Sequence, residues 1–448
     1  MMSTAVESVA ALPGRPRSRF ANQRWIDDWR PEETAFWEAG GARVARRNLI
    51  LSILSEHIGF SVWTMWSVLV LFLGTAYHVD PAGKFLLTAV PAGIGSVLRL
   101  PYTFAVAKFG GRNWTVISAA LLLLPTIPAA ILVKPGVSYT TLMVLAAIAG
   151  VGGGNFASSM ANINSFYPQR LKGWALGLNA GGGNIGVAAV QLVGLLVLLT
   201  AGAQHPRLVV GVYIPFIVLA ALAAALGMDN LGAAANPRRA MRDALREPPS
   251  WVMSFLYIGT FGSFIGFGFA FGQVLQVQFT MKPLDAAELT FLGPLIGSLI
   301  RPVGGALADR VGGARVTSVN FVAMAASAGL VLLASVQHAK PLFLVGFIAL
   351  FAFSGVGNGS TYKMIPAIFT AKYADEARVR RLSGALIGIA GAVGAFGGVL
   401  VNVAFRQSFL TYHTGNAAYL AFIACYALCF AVTWAVYLRP SPKRLADV

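Results

Sequence analysis

Charge is what this sequence has least of. Asp, Glu, Lys and Arg make up 11% of 448 residues, against roughly 25% in a soluble domain. That shortage excludes a water-exposed globular fold. Acids are scarcer still, 17 against 34 Lys and Arg. Cysteine is nearly absent: Cys425 and Cys429 are the only two. At i, i+4 on one apolar run they are poor disulfide geometry, and two thiols alone make no metal site, so packing is expected. No Gly-Lys-Ser/Thr follows the glycine run at 152–154, which excludes a nucleotide loop there. A metal cluster, a nucleophile triad and a cofactor loop are also missing, so neither an enzyme nor a cofactor is expected.

What is there is apolar. Hydrophobic residues reach 56% and mean hydropathy is +0.68. A membrane span needs about 20 apolar residues, and the sequence offers spans at 49–74, 84–107, 114–133, 138–164, 173–200, 207–231, 251–275, 288–308, 315–336, 341–366, 383–405 and 416–438. The expected fold class is therefore an all-α, multi-pass membrane protein with twelve transmembrane helices. Residues 1–48 contain "RWIDDWRPEETAFW" and no apolar core or cleavage site, so they read as a cytoplasmic tail, not a signal peptide. A net charge of +17 would point a soluble protein toward nucleic acid, but here its distribution gives another reading. The tails and even-numbered loops carry most of the Lys and Arg. The opposite loops hold only Lys84, Lys134, Arg207, Lys282, Lys340 and Arg406. This bias puts both termini in the cytoplasm, with lipid as the partner and no nucleic acid.

The chain repeats itself. "GSVLRLPYTFAVAKFGGR" (95–112) matches "GSLIRPVGGALADRVGGAR" (297–315), and "AGVGGGN" (149–155) echoes "SGVGNGS" (354–360). The plan is a six-helix half at 49–231, a basic linker at 232–250, a second six-helix half at 251–438 and a tail at 439–448. Two six-helix halves resemble the major facilitator fold, whose site lies near the membrane midplane between them. "DRVGGAR" resembles that superfamily's short basic loop, and "KFGGRNW" departs from it at Lys108.

Few ionisable residues lie inside the spans. Arg99 and Arg301 occupy equivalent points of the two repeats; Glu56 and His57 are adjacent in the first span; Lys363 is near the end of the tenth. An intramembrane charge costs at least about 2.5–3.5 kcal/mol, so each needs a reason. The second and eighth spans hold no central carboxylate, so the two arginines would face a cavity and want an anion, which a planar guanidinium can hold by two oxygens at once. In "VGGGNFASSMANINSFYP" (151–168) and "GWALGLNAGGGNIGV" (173–187), the glycines let backbones approach and the Asn and Ser side chains can stand in for water.

These two stretches together resemble the first signature of the nitrate/nitrite porter family, and "SGVGNGSTYKMIPAIF" (354–369) resembles its second. "DWRPEETAFW" (28–37) and "YIGTFGSFIGF" (257–267) look like bacterial members, so the resemblance covers nearly the whole chain. It implies that Arg99 and Arg301 hold the anion, that Phe156 and Phe261 sandwich it, and that Tyr257 and Asn179 contact it. It also implies that Gly152, Gly153, Gly154, Gly181, Gly182, Gly183, Gly355, Gly357 and Gly359 let gating helices bend and slide. Glu56-His57 resembles the proton-coupled type. The expectation is a monomeric nitrate/proton symporter of the bacterial inner membrane that serves nitrate uptake and assimilation and also takes nitrite. A nitrate/nitrite antiporter has the same site with a structural Glu56, paired to Lys363 or His57. A non-transporting nitrate sensor would carry a signalling domain, and the short tail after Arg439 speaks against it.

Overall fold

The computed structural model describes residues 24–232 and 237–440. Parts of the expected tails and linker (1–23, 233–236 and 441–448) lie outside the described residues. Among the described residues, twelve helices are long and apolar enough to cross a membrane: α1 (Thr34–Phe72), α2 (Pro81–Phe109), α3 (Gly111–Leu132), α4 (Tyr139–Phe166), α5 (Gln169–Ala201), α6 (Pro206–Gly227), α7 (Pro248–Phe279), α8 (Pro283–Val311), α9 (Gly313–Val336), α10 (Lys340–Lys372), α11 (Glu376–Tyr412) and α12 (Asn416–Leu438). Local chemistry sets several starts. Asp80 accepts from the Gly83 N–H at 2.7 Å with Pro81 in the first turn, Ser138 accepts from Thr141 at 3.1 Å, and Asp375 accepts from Ala377 at 2.9 Å.

The sequence repeat returns as geometry. Gly110 between α2 and α3 has φ +88°, and Gly312 between α8 and α9 has φ +94°. Both occupy backbone space that favours glycine, so the paired Gly-Gly steps make the same reversal in each half.

The first helix starts earlier than expected. Hydropathy places its beginning at 49, whereas α1 runs from Thr34, with a break at Gly40 (φ 163°). Arg43, Arg46 and Arg47 lower the local hydropathy without opposing a helix, so an apolar window finds the membrane edge and not the helix end. Ahead of it lies a short strand, β1 (Trp25–Ile26), pairing in parallel with β2 (Asn230–Leu231) after α6. Arg47 and Asn48 hold Asp229 at 2.5 and 2.8 Å. The tail is thus tied to the end of its own half.

The described linker contains a helix, Pro237–Leu245, whose Met241 and Ala244 are buried in the core. Glu247 follows it and pairs with Lys372, Tyr373 (2.5 Å) and Arg378 (3.6 Å). Burial pushes this carboxyl up, but the Lys372 and Tyr373 hydrogen bonds and the Lys372 and Arg378 charges outweigh it and hold the group below its usual range.

The halves meet through α2 against α11 and α5 against α8. At the end away from the termini the seam is shut. Phe85 stacks on Phe405 and Phe409 at 5.8 and 5.5 Å, Thr88 donates to Asn402 at 2.8 Å, and Gln273 and Gln191 donate to the Pro81 and Gly268 carbonyls at 2.6 and 2.9 Å.

Candidate functional site

Arg99 and Arg301 are buried midway along α2 and α8, with relative exposures of 0% and 4%. Among the described residues neither forms an ion pair. Arg99 donates from Nε to the Gly153 carbonyl at 3.2 Å and from Nη1 to the Gly391 carbonyl of α11 at 2.7 Å, so it reaches across the seam. Its Nη2 has no hydrogen-bond partner among the described residues. Arg301 donates from Nη2 to the Tyr257 hydroxyl at 3.2 Å and leaves Nη1 without a partner.

The glycine run explains how Arg99 finds its carbonyl. Within α4, Gly150–Gly154 tightens into a 3₁₀ turn, which redirects carbonyls out of the regular ladder. Close packing needs the missing side chains: a Cβ on Gly152 would lie 2.3 Å from the Gly59 carbonyl oxygen, and one on Gly153 would lie 2.7 Å from the Gly95 Cα. In the second half, Cβ atoms on Gly355 and Gly359 would lie 2.2 Å from the Gly297 and Arg301 carbonyl oxygens. Gly181 is different: nothing lies within 4 Å of its Cβ position, so close packing gives no reason for glycine there.

Aromatic rings join the two arginines. The Arg99 Cζ lies 4.5, 4.9 and 5.3 Å from the ring centroids of Phe156, Phe261 and Trp63. Phe261 stacks on Tyr257 at 5.1 Å, both carried by α7, where Ile258–Gly262 widens into a π-turn. Tyr257 meets Tyr362 at 5.1 Å, and Arg301 lies over the Tyr362 ring at 5.1 Å. Cation–π contacts hold the guanidinium planes without neutralising them.

The expected sandwich is closed on itself. Phe156 and Phe261 stack directly at 5.9 Å and 28°, whereas two rings with a flat ion between them need about 7 Å, two contacts of 3.5 Å each. In this conformer the rings pack on each other and on Arg99. Toward the end that carries the termini, a cavity of about 30 Å³ lies beside Phe156, lined by Thr103, Met160, Leu176 and Ile387 among others; that is room for about one water.

Glu56 is buried in α1 and accepts from Ser159 and from Asn179 Nδ2, the latter at 2.6 Å. Its other carboxylate oxygen has no hydrogen-bond partner among the described residues, and Arg99 and Arg301 lie within electrostatic reach. Gly183 makes room for it, since a Cβ there would lie 2.3 Å from Glu56 Oε1. Two expectations for charge partners are corrected here. Lys363 pairs with Asp309 at the end of α8, at 2.9 Å, because its long stem carries the ammonium to an exposed carboxylate. His57 meets the Gly182 carbonyl at 3.2 Å and forms no hydrogen bond with Glu56, since adjacent helical residues point about 100° apart. Asn179, expected at an anion, spends both amide hydrogen bonds on Glu56 and Ser159. Asn162 packs at Gly111, away from the arginines.

Sequence reasoning passed over Trp63 and Tyr362, and took Ser159 only as one of the polar groups around the ion, not as a donor to Glu56. Trp63 is seven residues, two helical turns, after Glu56, a spacing that puts both on one face. Tyr362 lies inside "STYKMIP" beside a residue already singled out. Among the described residues no group of three His, Cys, Asp or Glu could hold a metal.

A twelve-helix bundle with paired buried arginines at its seam is a solute transporter, not an enzyme. The Major Facilitator Superfamily model matches residues 53–402. The xylose transporter XylE from E. coli, in a partially occluded inward-open conformation, superposes with TM-score 0.67 at 14% identity, covering 90% of this chain and 99% of that one. The nitrate/nitrite transporter NarU of Salmonella typhimurium is 35% identical over 94% of this chain and 98% of its own. The probable nitrate/nitrite antiporter NarK2 of Thermus thermophilus is 34% identical over 95% and 99%. The chain belongs to the nitrate/nitrite porter family of the major facilitator superfamily.

Proposed function

We propose that this protein is an alternating-access nitrate transporter of the bacterial inner membrane that couples nitrate uptake to protons, with both termini in the cytoplasm. Its relatives' substrates support nitrate and nitrite as its own. The buried pair Arg99 and Arg301, each with a guanidinium nitrogen left over, supports a small anion between the halves. With the termini in the cytoplasm, the seam shut around Phe85 supports reading this conformer as closed on the periplasmic side.

The observation that carries proton coupling is Glu56, a buried carboxylate near both arginines that, among the described residues, accepts hydrogen bonds only from Ser159 and Asn179 and forms no ion pair. Charge counting gives the mechanism. Empty, with Glu56 ionised, the two arginines and one carboxylate leave one net positive charge. Loaded with nitrate and a proton on Glu56, the site again carries one net positive charge. These two states cross a low-dielectric barrier at similar cost. The proton alone raises the charge to two and stalls the carrier, so protonation of Glu56 is productive only together with nitrate. Among the described residues Lys363 pairs with Asp309 and His57 meets the Gly182 carbonyl, which supports a role for Glu56 other than pairing with either.

Uptake into liposomes that contain no internal anion substrate tests this. An inward proton gradient should drive nitrate accumulation by the wild type. Transport that ignores pH and requires internal nitrite or nitrate would make the protein an exchanger.

A further inference from the structure

Three polar ends meet inside the bundle without a completed hydrogen bond of good geometry: Arg99 Nη2, Arg301 Nη1 and the Tyr362 hydroxyl. Tyr362 is brought there by packing. Gly359 lets α10 lie against the Arg301 carbonyl, where a Cβ would sit 2.2 Å from the oxygen. Three residues on, the Tyr362 ring slides under the Arg301 guanidinium at 5.1 Å and tilts against Tyr257 at 5.1 Å and 41°. A phenylalanine would supply the same face to Arg301. What tyrosine adds is an O–H beside the Tyr257 hydroxyl, which already accepts from Arg301, and a buried hydroxyl without a well-made hydrogen bond is costly.

The donor count gives that hydroxyl a task. Arg99 has two donors committed to the Gly153 and Gly391 carbonyls, and Arg301 has one committed to Tyr257. A buried terminal nitrogen with no partner among the described residues remains on each, Arg99 Nη2 and Arg301 Nη1. With one such end at each side of a flat anion, the two oxygens of nitrite each face a guanidinium, whereas the third oxygen of nitrate leaves room for a separate donor. We propose that the Tyr362 hydroxyl donates to the third oxygen of bound nitrate and thereby sets a preference for nitrate over nitrite. This rests on the nitrate reading above.

The test is titration of purified wild-type and Tyr362→Phe protein with nitrate and with nitrite, alongside the melting temperature of each without anion. The Phe variant keeps the ring against Arg301 and Tyr257 and loses a poorly bonded buried hydroxyl, so the anion-free melting temperature should not fall. Its nitrate affinity should fall about tenfold, the effect of one hydrogen bond to a charged partner, while its nitrite affinity changes less than about twofold. Unchanged nitrate affinity, or an equal loss for both anions, overturns the proposal. An equal loss with a lowered melting temperature assigns Tyr362 to packing. A wild type that binds no nitrate overturns the nitrate reading itself, which is a different result from a wild type that binds it and a Phe variant that binds it equally well.

Discussion

At the residue scale, the site depends on guanidinium geometry more than on charge. Arg99 uses three of its nitrogens in three directions: two toward carbonyls on α4 and α11, and one left over. A lysine could supply the charge but not the fork. Arg99→Lys and Arg301→Lys should each weaken nitrate binding at least tenfold, since a charge-assisted hydrogen bond contributes about 1.5–3 kcal/mol, while the protein still elutes as a folded species in detergent. Wild-type affinity in either variant, measured by equilibrium titration, would mean the fork is not used. The arginines were legible in the sequence because an intramembrane charge repeated at equivalent positions has few explanations. Tyr362 was not, because an aromatic in a membrane span is ordinarily packing and only the orphaned hydroxyl marks it out.

At the element scale, the glycine-rich stretches divide into two kinds. Gly152, Gly153, Gly355 and Gly359 sit where one helix backbone touches another, whereas Gly181 faces open space. Gly152→Ala should force α4 off α1 and cost about 1–3 kcal/mol as overpacking, seen as a lower melting temperature. Gly181→Ala should melt like the wild type or slightly higher, because alanine favours helix by about 1 kcal/mol over glycine. Equal melting of the two variants would remove this distinction. The sequence shows the runs but not which members are pressed, because contact depends on how α1, α2 and α4 cross. For the same reason it shows that Glu56 and His57 are neighbours in the chain but not that they part in space. Both the early start of α1 and the β1–β2 pairing escaped hydropathy, which responds to lipid contact and not to hydrogen bonding beyond the membrane edge.

At the scale of the whole molecule, the twelve spans and their division into halves could be read directly, since lipid demands long apolar runs and the repeat fixes the pairing. The state of the seam could not, because a closed and an open carrier share one sequence. The central claim, that Glu56 is the proton site, belongs to this scale because it concerns which charge states let the halves rock. Glu56→Gln removes the carboxylate and leaves both arginines. The empty carrier then holds two positive charges and cannot return cheaply, whereas the nitrate-loaded carrier keeps one and can. The most direct measurement compares two fluxes in one liposome preparation of Glu56→Gln: nitrate/nitrate exchange, and net nitrate uptake driven by an inward proton gradient into vesicles free of internal anion substrate. The account predicts that exchange survives and pH-driven net uptake is lost. Net uptake equal to that of the wild type would contradict it.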